Sequence, residues 1–519
     1  MRSLVRGAVL LGLALALGLA AAAPAAAPVA ETPQWLPPED VTSSAGAVAS
    51  PSLATDALGT VFVLWAGDEG RILSTARPAQ VGAWEDPQPL SAPGAASPRL
   101  AVTRAGTAIA VWVRSGLVEA AVRPPGGEWG PAETISNVLD SSQSPRVSVD
   151  AAGNAYAVWA RAFNGDASIK ARFRRADTGL WDPPEDVPTG PEPVYQPELA
   201  VSARGDAIFV WKLESGYLLS SFRSADDHVW AARQTIAPGG DITGNDYATV
   251  ALDDDGNAVV VFEHRVGFNA GVVASTRPIT TGQWSEWVPI GGGSNGSTAL
   301  AFDPAGNATA VWQGGGSQSI IQGAVLPPGG SWSTAETLSQ GITHRWPAVA
   351  VAGVGTAVAV WQRTTQPPPP PPAGLPLAGL EYAAQAAVRP PGGVWQRFGD
   401  ISLAGVAADY ITVAADPAGN GIALWRRPGD FLQTAAYDGA GPVLDELSIP
   451  AHGDPGVPVS FSVSPFDVWS ALAGEATWSF GDGAEATGNQ VSHTYAEGSY
   501  VVTVRAEDSL ANESSASAK

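Results

Sequence analysis

Eight times along this chain a glycine is followed six residues later by a large aromatic, and that cadence limits which folds are open to it. The pairs are Gly59/Trp65, Gly106/Trp112, Gly153/Trp159, Gly205/Trp211, Gly256/Phe262, Gly306/Trp312, Gly355/Trp361 and Gly419/Trp425, spaced 47 to 64 residues apart. In five copies an Asp stands three residues before the glycine (Asp56, Asp150, Asp253, Asp303, Asp416), as in Asp150-Ala-Ala-Gly153. Asp suits the first and Gly the fourth position of a type I turn, so each copy predicts a hairpin. Residues before the turn alternate in polarity (Arg146-Val-Ser-Val149), and those after it are almost continuously apolar (Ala155-Tyr-Ala-Val-Trp159). These patterns predict one strand at an edge of the hairpin and a second covered on both faces.

A second element follows most copies. Arg77, Arg123, Arg174, Arg223, Arg277 and Arg389 lie six or seven residues before Trp84, Trp129, Trp181, Trp230, Trp284 and Trp395, with turn residues such as Pro124-Pro-Gly-Gly127 between. The sixth copy keeps Trp332 but has Leu326 in place of the Arg. Each unit therefore reads as a four-stranded antiparallel meander. A lone meander cannot bury both faces, whereas eight stacked radially can, which predicts an all-β, eight-bladed β-propeller, with seven blades as the alternative count. Trp35-Leu-Pro-Pro-Glu-Asp-Val41 matches Trp181-Asp-Pro-Pro-Glu-Asp-Val187 at six of seven positions, and the eighth copy has no Trp after its third strand near Phe431 to Tyr437. The N-terminal segment is expected to supply the missing fourth strand and close the ring. The alternative is that Pro442 to Leu447 does so while Trp35 caps an edge. With 59 Gly, 44 Pro, 19 Trp and only 15% charged residues, the composition suits many tight turns and large packing anchors. The chain has no cysteine, which removes disulfides, thiolate catalysis and Cys-ligated zinc.

A meander with a Trp opening its fourth strand resembles the kelch and sialidase-type propellers over roughly residues 32–440, in architecture only. The kelch double glycine after strand two is missing, and the Asp and Gly of the sialidase Asp-box stand two apart where here they stand three apart. Neither family's chemistry carries over. After Pro450 the repeat stops and short alternating strands follow: Val457-Pro-Val-Ser-Phe-Ser-Val463, Trp478-Ser-Phe-Gly-Asp-Gly483, Val491-Ser-His-Thr-Tyr495 and Gly498-Ser-Tyr-Val-Val-Thr-Val504. This resembles the polycystic-kidney-disease (PKD) domain, with Ser479 where that family has its first Asp. The resemblance implies a disulfide-free immunoglobulin-like β-sandwich that serves outside the cell as a spacer or a contact module for protein or carbohydrate. Gly481 and Gly483 permit a tight turn around Asp482, while Trp478 and Tyr500 supply core bulk. Asp482 and His493 are expected to be structural.

Arg2 and Arg6 precede an apolar stretch from Ala8 to about Ala23, followed by small residues, Pro24 and Pro28. This predicts a secretory signal over residues 1–30, a propeller over 31–440 and the PKD domain over 441–519. Read instead as an anchor, the stretch falls short of the ~20 apolar residues a spanning helix needs. The expected product is a secreted, monomeric protein with no membrane insertion after signal cleavage. A net charge of −22, from 28 basic and 50 acidic residues, argues against nucleic acid or an anionic membrane as partner.

In a meander of this kind the start of strand one and the end of strand two emerge opposite the Asp-x-x-Gly turn, where ligand-binding loops are sought. Counting nine residues back from each glycine gives Ser50, Ser97, Ser144, Gln196, Tyr247, Ser297, Trp346 and Tyr410. Tyr195, Asp246, Arg345 and Asp409 immediately precede four of these. Two residues beyond the repeated aromatic come Arg114, Arg161, His264, Arg363 and Arg427, expected near the same rim across the hairpin. The candidate binding set is Tyr195, Asp246, Tyr247, His264, Arg345, Trp346, Arg363, Asp409, Tyr410 and Arg427. Aromatic faces suit the C–H faces of sugar rings, and charged groups suit their hydroxyls. The alternative is a solvated rim whose Arg residues pair with excess acid.

A run of six prolines, Pro367 to Pro372, lies in a longer connection: Trp361 to Trp395 spans 34 residues against 17 to 22 in the other copies. It predicts a stiff segment projecting from the same rim. Asp253-Asp-Asp255 lacks the ligand spacing of a calcium loop, and the five His show no paired metal-ligand spacing. No phosphate-binding glycine loop opens a helix, and no Ser elbow of Gly-x-Ser-x-Gly type joins a strand to a helix. No cofactor and no metal site is expected. The leading expectation is a non-enzymatic protein binding extracellular polysaccharide or protein. Alternatives are a secreted glycoside hydrolase or lyase using Asp246 and Asp409 as acid and base, and a structural envelope protein.

Overall fold

The apolar run after each repeated glycine becomes the second strand of a blade, and its aromatic seals the blade to its neighbour. Trp65, Trp112, Trp159, Trp211, Phe262, Trp312, Trp361 and Trp425 are all 2% exposed or less. The computed structural model describes residues 34–519 except 43–45, 139–140, 164–165, 191, 240–242, 268, 315–318, 340–343 and 365–381. The expected leader and the proline run lie outside the described residues.

Eight antiparallel sheets follow one another along the chain. The first is Ala49–Thr55, Val61–Ala66, Ile72–Arg77 and Gln88–Pro89, in that order from inside to outside. Val288–Phe302 serves twice, as fourth strand of blade five and then as first strand of blade six. The first strands form a ring: each contacts the first strand of the next blade, and Asp409–Ala415 of blade eight contacts Ala49–Thr55 of blade one. The expected hairpin edge is thus the innermost strand. Each strand-two aromatic packs among residues of the preceding blade, Trp159 against Val111, Val118 and Ile135, and Trp65 against Ile422, Leu424 and Leu432 of the last blade. The fold is an eight-bladed β-propeller.

The N-terminal segment closes it. Gln34–Trp35 and Glu39–Asp40 both pair with Phe431–Asp438, the third strand of blade eight. Glu39 then reaches blade one, accepting a bond from Trp84 Nε1 at 3.0 Å and lying 3.5 Å from Arg77. The same device joins blades three and four, where Glu185 accepts from Trp230 Nε1 at 3.0 Å beside Arg223 at 3.4 Å. The alternative closure by Pro442 to Leu447 does not occur, because Val443–Ser448 pairs with Pro458–Phe466 of the C-terminal domain.

In the turns that carry it, the Asp does more than start the turn. Asp150 accepts the Asn154 backbone N–H at 2.9 Å and its Nδ2 at 2.8 Å, while Asn154 Oδ1 accepts from Ala176 in the turn between strands three and four. Asp253 and Asn257 repeat this, so that carboxylate is committed to its own hairpin. The glycine is required twice over. Gly256 has φ +89°, and a Cβ there would stand 2.6 Å from the buried carboxylate of Asp206 in the preceding blade. Gly256→Ala is expected to lower unfolding stability by about 2 kcal/mol or more, from left-handed strain plus overpacking. Gly329→Ala, at φ +63° with open space around it, should show the strain alone, about 1 kcal/mol. Equal urea midpoints for the two variants would refute the close approach.

The C-terminal domain is a sandwich of a three-stranded sheet (Val443–Ser448, Pro458–Phe466, Gln490–Thr494) and a four-stranded sheet (Glu485–Thr487, Thr477–Ser479, Val502–Glu507, Glu513–Ala518). Phe461, Trp478, Phe480 and Val504 fill it; Tyr500 is half-buried and stacks on Tyr495 at its border. His493 lies parallel to Phe480, 4.4 Å between centroids, and its Nε2 meets Asp482 at 2.6 Å. The Ala484 N–H, and after it His493, hold the Asp482 carboxyl below its ordinary range. The domain is docked on the ring: Arg77 donates to the Val468 carbonyl at 2.8 Å and lies 4.0 Å over the Trp469 ring, and Trp469 joins the cluster between blades eight and one.

Candidate functional site

Opposite the Asp-Gly turns, every first strand breaks register with its neighbour at one place. In blade five Asp246 pairs Glu263 and Thr249 pairs Val261, so three steps on the inner strand oppose two on the second. An extra residue in one strand is a β-bulge, which bends the strand and re-aims a side chain. The residue at the bulge is Ser50, Ser97, Ser144, Gln196, Tyr247, Trp346 or Tyr410, and each has φ between 49° and 56°. These are the positions found by counting nine back from the glycines. A bulky non-glycine residue in left-handed conformation is uncommon and strained. Its recurrence with Ser, Gln, Tyr and Trp alike shows that the blade geometry imposes it.

The shared register sets these residues at one level around the mouth of the ring. Blades one to three present Ser. Blades five, seven and eight present Tyr247 (44% exposed), Trp346 (50%) and Tyr410 (49%), and Tyr195 (46%) stands beside Gln196 in blade four. Tyr410 has one face covered by Arg426, 4.7 Å from its centroid.

A polar belt runs beside the aromatics, made by residues one beyond the repeated aromatic. Lys212 of blade four pairs with Asp246 of blade five. Gln362 of blade seven donates to Asp409 of blade eight at 2.8 Å, and Arg426 meets Asp409 at 3.5 Å and the Val48 carbonyl of blade one at 3.4 Å. Arg345 is exposed, pairs in register with Gln362 and makes no ion pair among the described residues. Asp246 and Asp409, the carboxylates considered as acid and base, are therefore each held by a cation and stand in blades with two others between them.

Residues two beyond the aromatic go elsewhere. Arg363 Nε meets Asp400 of its own fourth strand at 2.9 Å, and Arg427 forks onto Asp40 at 2.9 and 2.7 Å with its guanidinium 4.0 Å over Phe431. Burial works against charge on Asp400, yet hydrogen bonds from Arg363 and Gln385 outweigh it and hold that carboxyl below its ordinary range; Arg427 does the same for Asp40. His264 packs 4.5 Å from Trp287, and its Nδ1 meets Asn245 Oδ1 at 2.8 Å. Since Asn245 Nδ2 donates to two carbonyls, His264 Nδ1 is the donor, and burial lowers the histidine pKa. The structure thus divides the expected set. Tyr195, Asp246, Tyr247, Arg345, Trp346, Asp409 and Tyr410 lie on the inner rim; Arg363 and Arg427 face the outer strands, and His264 is held between Asn245 of the inner strand and Trp287. Lys212, Gln362 and Arg426 replace them, and strand parity is the signal that finds them, since neighbours on a strand face opposite ways.

Among the described residues no helix is long and apolar enough to cross a membrane. No curated protein matches the chain in sequence. Among solved structures it is similar to a lectin from Burkholderia pseudomallei (14% identity, covering 70% of this chain and all of that one, TM-score 0.48). It is also similar to an ulvan lyase (11%, 77% and 95%, TM-score 0.42) and to a prolyl endopeptidase (11%, 80% and 54%, TM-score 0.41). With TM-scores below 0.5, these likenesses carry no inference about activity. The family model of the PKD domain matches residues 439–519, where the sandwich core of Phe461, Trp478 and Phe480 and the Asp482–His493 contact are found. The C-terminal part of this chain is a PKD domain, docked on an eight-bladed β-propeller.

Proposed function

We propose that the protein is an exported, non-enzymatic binder of extracellular polysaccharide, and that the aromatic half of the propeller mouth is the binding surface. The single observation that supports this is the strained bulge, which sets Tyr247, Trp346 and Tyr410 half-exposed at one level, with Tyr195 beside them. Aromatic faces cover the C–H faces of sugars, while Arg345 and the carboxylates and amides of the belt match hydroxyls or acidic groups. Blades carrying Ser at the same place bound the surface on the other side. The leader over residues 1–30 supports export.

Glycan-array screening followed by calorimetry tests this. Trp346→Ala and Tyr247→Ala are each expected to weaken binding about tenfold to a hundredfold, the scale of a buried aromatic anchor, while Ser97→Ala leaves it unchanged. Release of new reducing ends or unsaturated products, abolished by Asp246→Asn, would overturn the non-enzymatic reading. Binding untouched by both aromatic substitutions would overturn the site.

A further inference from the structure

The docking of the PKD domain brings together three carboxylates from distant parts of the chain. Asp438 ends the third strand of blade eight, Asp467 follows the PKD strand Pro458–Phe466, and Asp508 opens the turn between Val502–Glu507 and Glu513–Ala518. One oxygen from each lies within 4.8 Å of the others. The two PKD carboxylates are held by their own loops. Asp467 Oδ1 accepts from Trp469 and Ser470 backbone N–H at 2.9 and 2.8 Å, and Asp508 accepts from Leu510 and Asn512 at 2.8 Å.

Asp438 is different. Its side chain is fully buried, 0% exposed, and neither carboxylate oxygen has a hydrogen-bond partner. An unpaired carboxylate so placed is among the costliest groups a fold can hold. The neighbouring Ser470 hydroxyl donates to Asp467 at 3.2 Å. Arg77, whose charge couples to Asp467, is engaged by the Val468 carbonyl, the Trp469 face and Glu39. Of the three carboxylates, Asp438 is the one left without a partner.

We infer that Asp438, Asp467 and Asp508 bind a hard divalent cation, calcium by its chemistry, which fastens the PKD domain to the last propeller blade. All donors are oxygens, and calcium bonds of about 2.3 to 2.6 Å span oxygens up to about 5 Å apart, matching the cluster. Six to eight ligands are usual for calcium, so water completes the shell. Two ligands come from preorganised PKD turns and the third from the propeller, so binding requires the docked arrangement and stabilises it by linkage.

The test uses the full mature chain, stripped with EGTA and titrated with calcium chloride at pH 7.5 in a calorimeter, with thermal unfolding followed in parallel. One calcium per chain is expected, raising the unfolding midpoint by about 5 °C at a hundredfold excess over Kd. Asp438→Asn should retain the strand-rich spectrum, lose at least tenfold in calcium affinity and melt independently of calcium. Should Asp438→Asn fail to fold, Asp467→Asn must show the same loss. Magnesium at equal concentration should give a smaller shift, because three widely spaced carboxylates suit the larger ion. A wild-type chain that neither binds calcium nor shifts its midpoint would overturn the proposal, as would an unchanged calcium response in Asp438→Asn.

Discussion

A chain lacking residues 34–42 is expected to unfold at a markedly lower temperature, with the loss centred on blades seven, eight and one. The segment touches all three. Trp35 packs 5.9 Å from Tyr437 and joins the cluster around Ile401 and Trp425, between blades seven and eight. Val41, 4% exposed, joins Trp65, Ile422 and Leu432 between blades eight and one. Ladder bonds run from Leu36 N–H to Ala436 at 2.7 Å and from Val41 N–H to Leu432 at 2.8 Å, and Asp40 and Glu39 hold Arg427, Gln433, Arg77 and Trp84. Burial of Val41 and part of Trp35, plus these bonds, contributes on the order of 5 kcal/mol. Removal also bares the edge of Phe431–Asp438, a template for another strand. Hydrogen exchange should show protection lost first along Phe431–Asp438. A synthetic peptide of residues 34–42 should restore the midpoint by strand addition. An unchanged midpoint, or a peptide without effect, would mean that the ring holds without this closure.

Closure was legible because the Trp35 segment copies Trp181 to Val187, and a copy of a fourth strand at the wrong end of a chain has one place to go. The level of the rim was legible too, since the bulge lies at a fixed offset from the turn glycine and counting along a strand measures height. Counting does not fix the face. Arg363 shares parity with buried Trp361 and is drawn to Asp400 between blades, whereas Gln362, one residue earlier, reaches the next inner strand. Nor could spacing reveal Asp438 beside Asp467 and Asp508, because that cluster exists only through the docking of two domains, which no local pattern encodes.

Trp159→Ala is expected to cost about 3 to 5 kcal/mol, and Trp159→Phe far less, because blade five performs the Phe experiment naturally. Phe262 fills the equivalent slot at 0% exposure, among Ile208, Val210 and Leu218 of blade four. Trp159 sits among Val111, Val118, Ala120 and Ile135 of blade two, and its indole N–H has no hydrogen-bond partner. Phe therefore removes a buried unsatisfied donor together with part of the ring, while Ala leaves a cavity between two sheets whose backbones are fixed by their ladders. Trp112 is the counter-case: its Nε1 donates to buried Glu119 at 2.8 Å, a carboxylate also bonded by Arg114 Nε at 3.0 Å. Trp112→Phe strips one donor from that carboxylate and should cost about 1 to 2 kcal/mol more than Trp159→Phe. Urea unfolding of the four variants, Ala and Phe at each site, measures the contrast. If Trp112→Phe and Trp159→Phe are equal, the Glu119 bond contributes nothing and the strand-two aromatics act as filler alone; if Trp159→Ala is as mild as Trp159→Phe, the blades are not sealed by these rings.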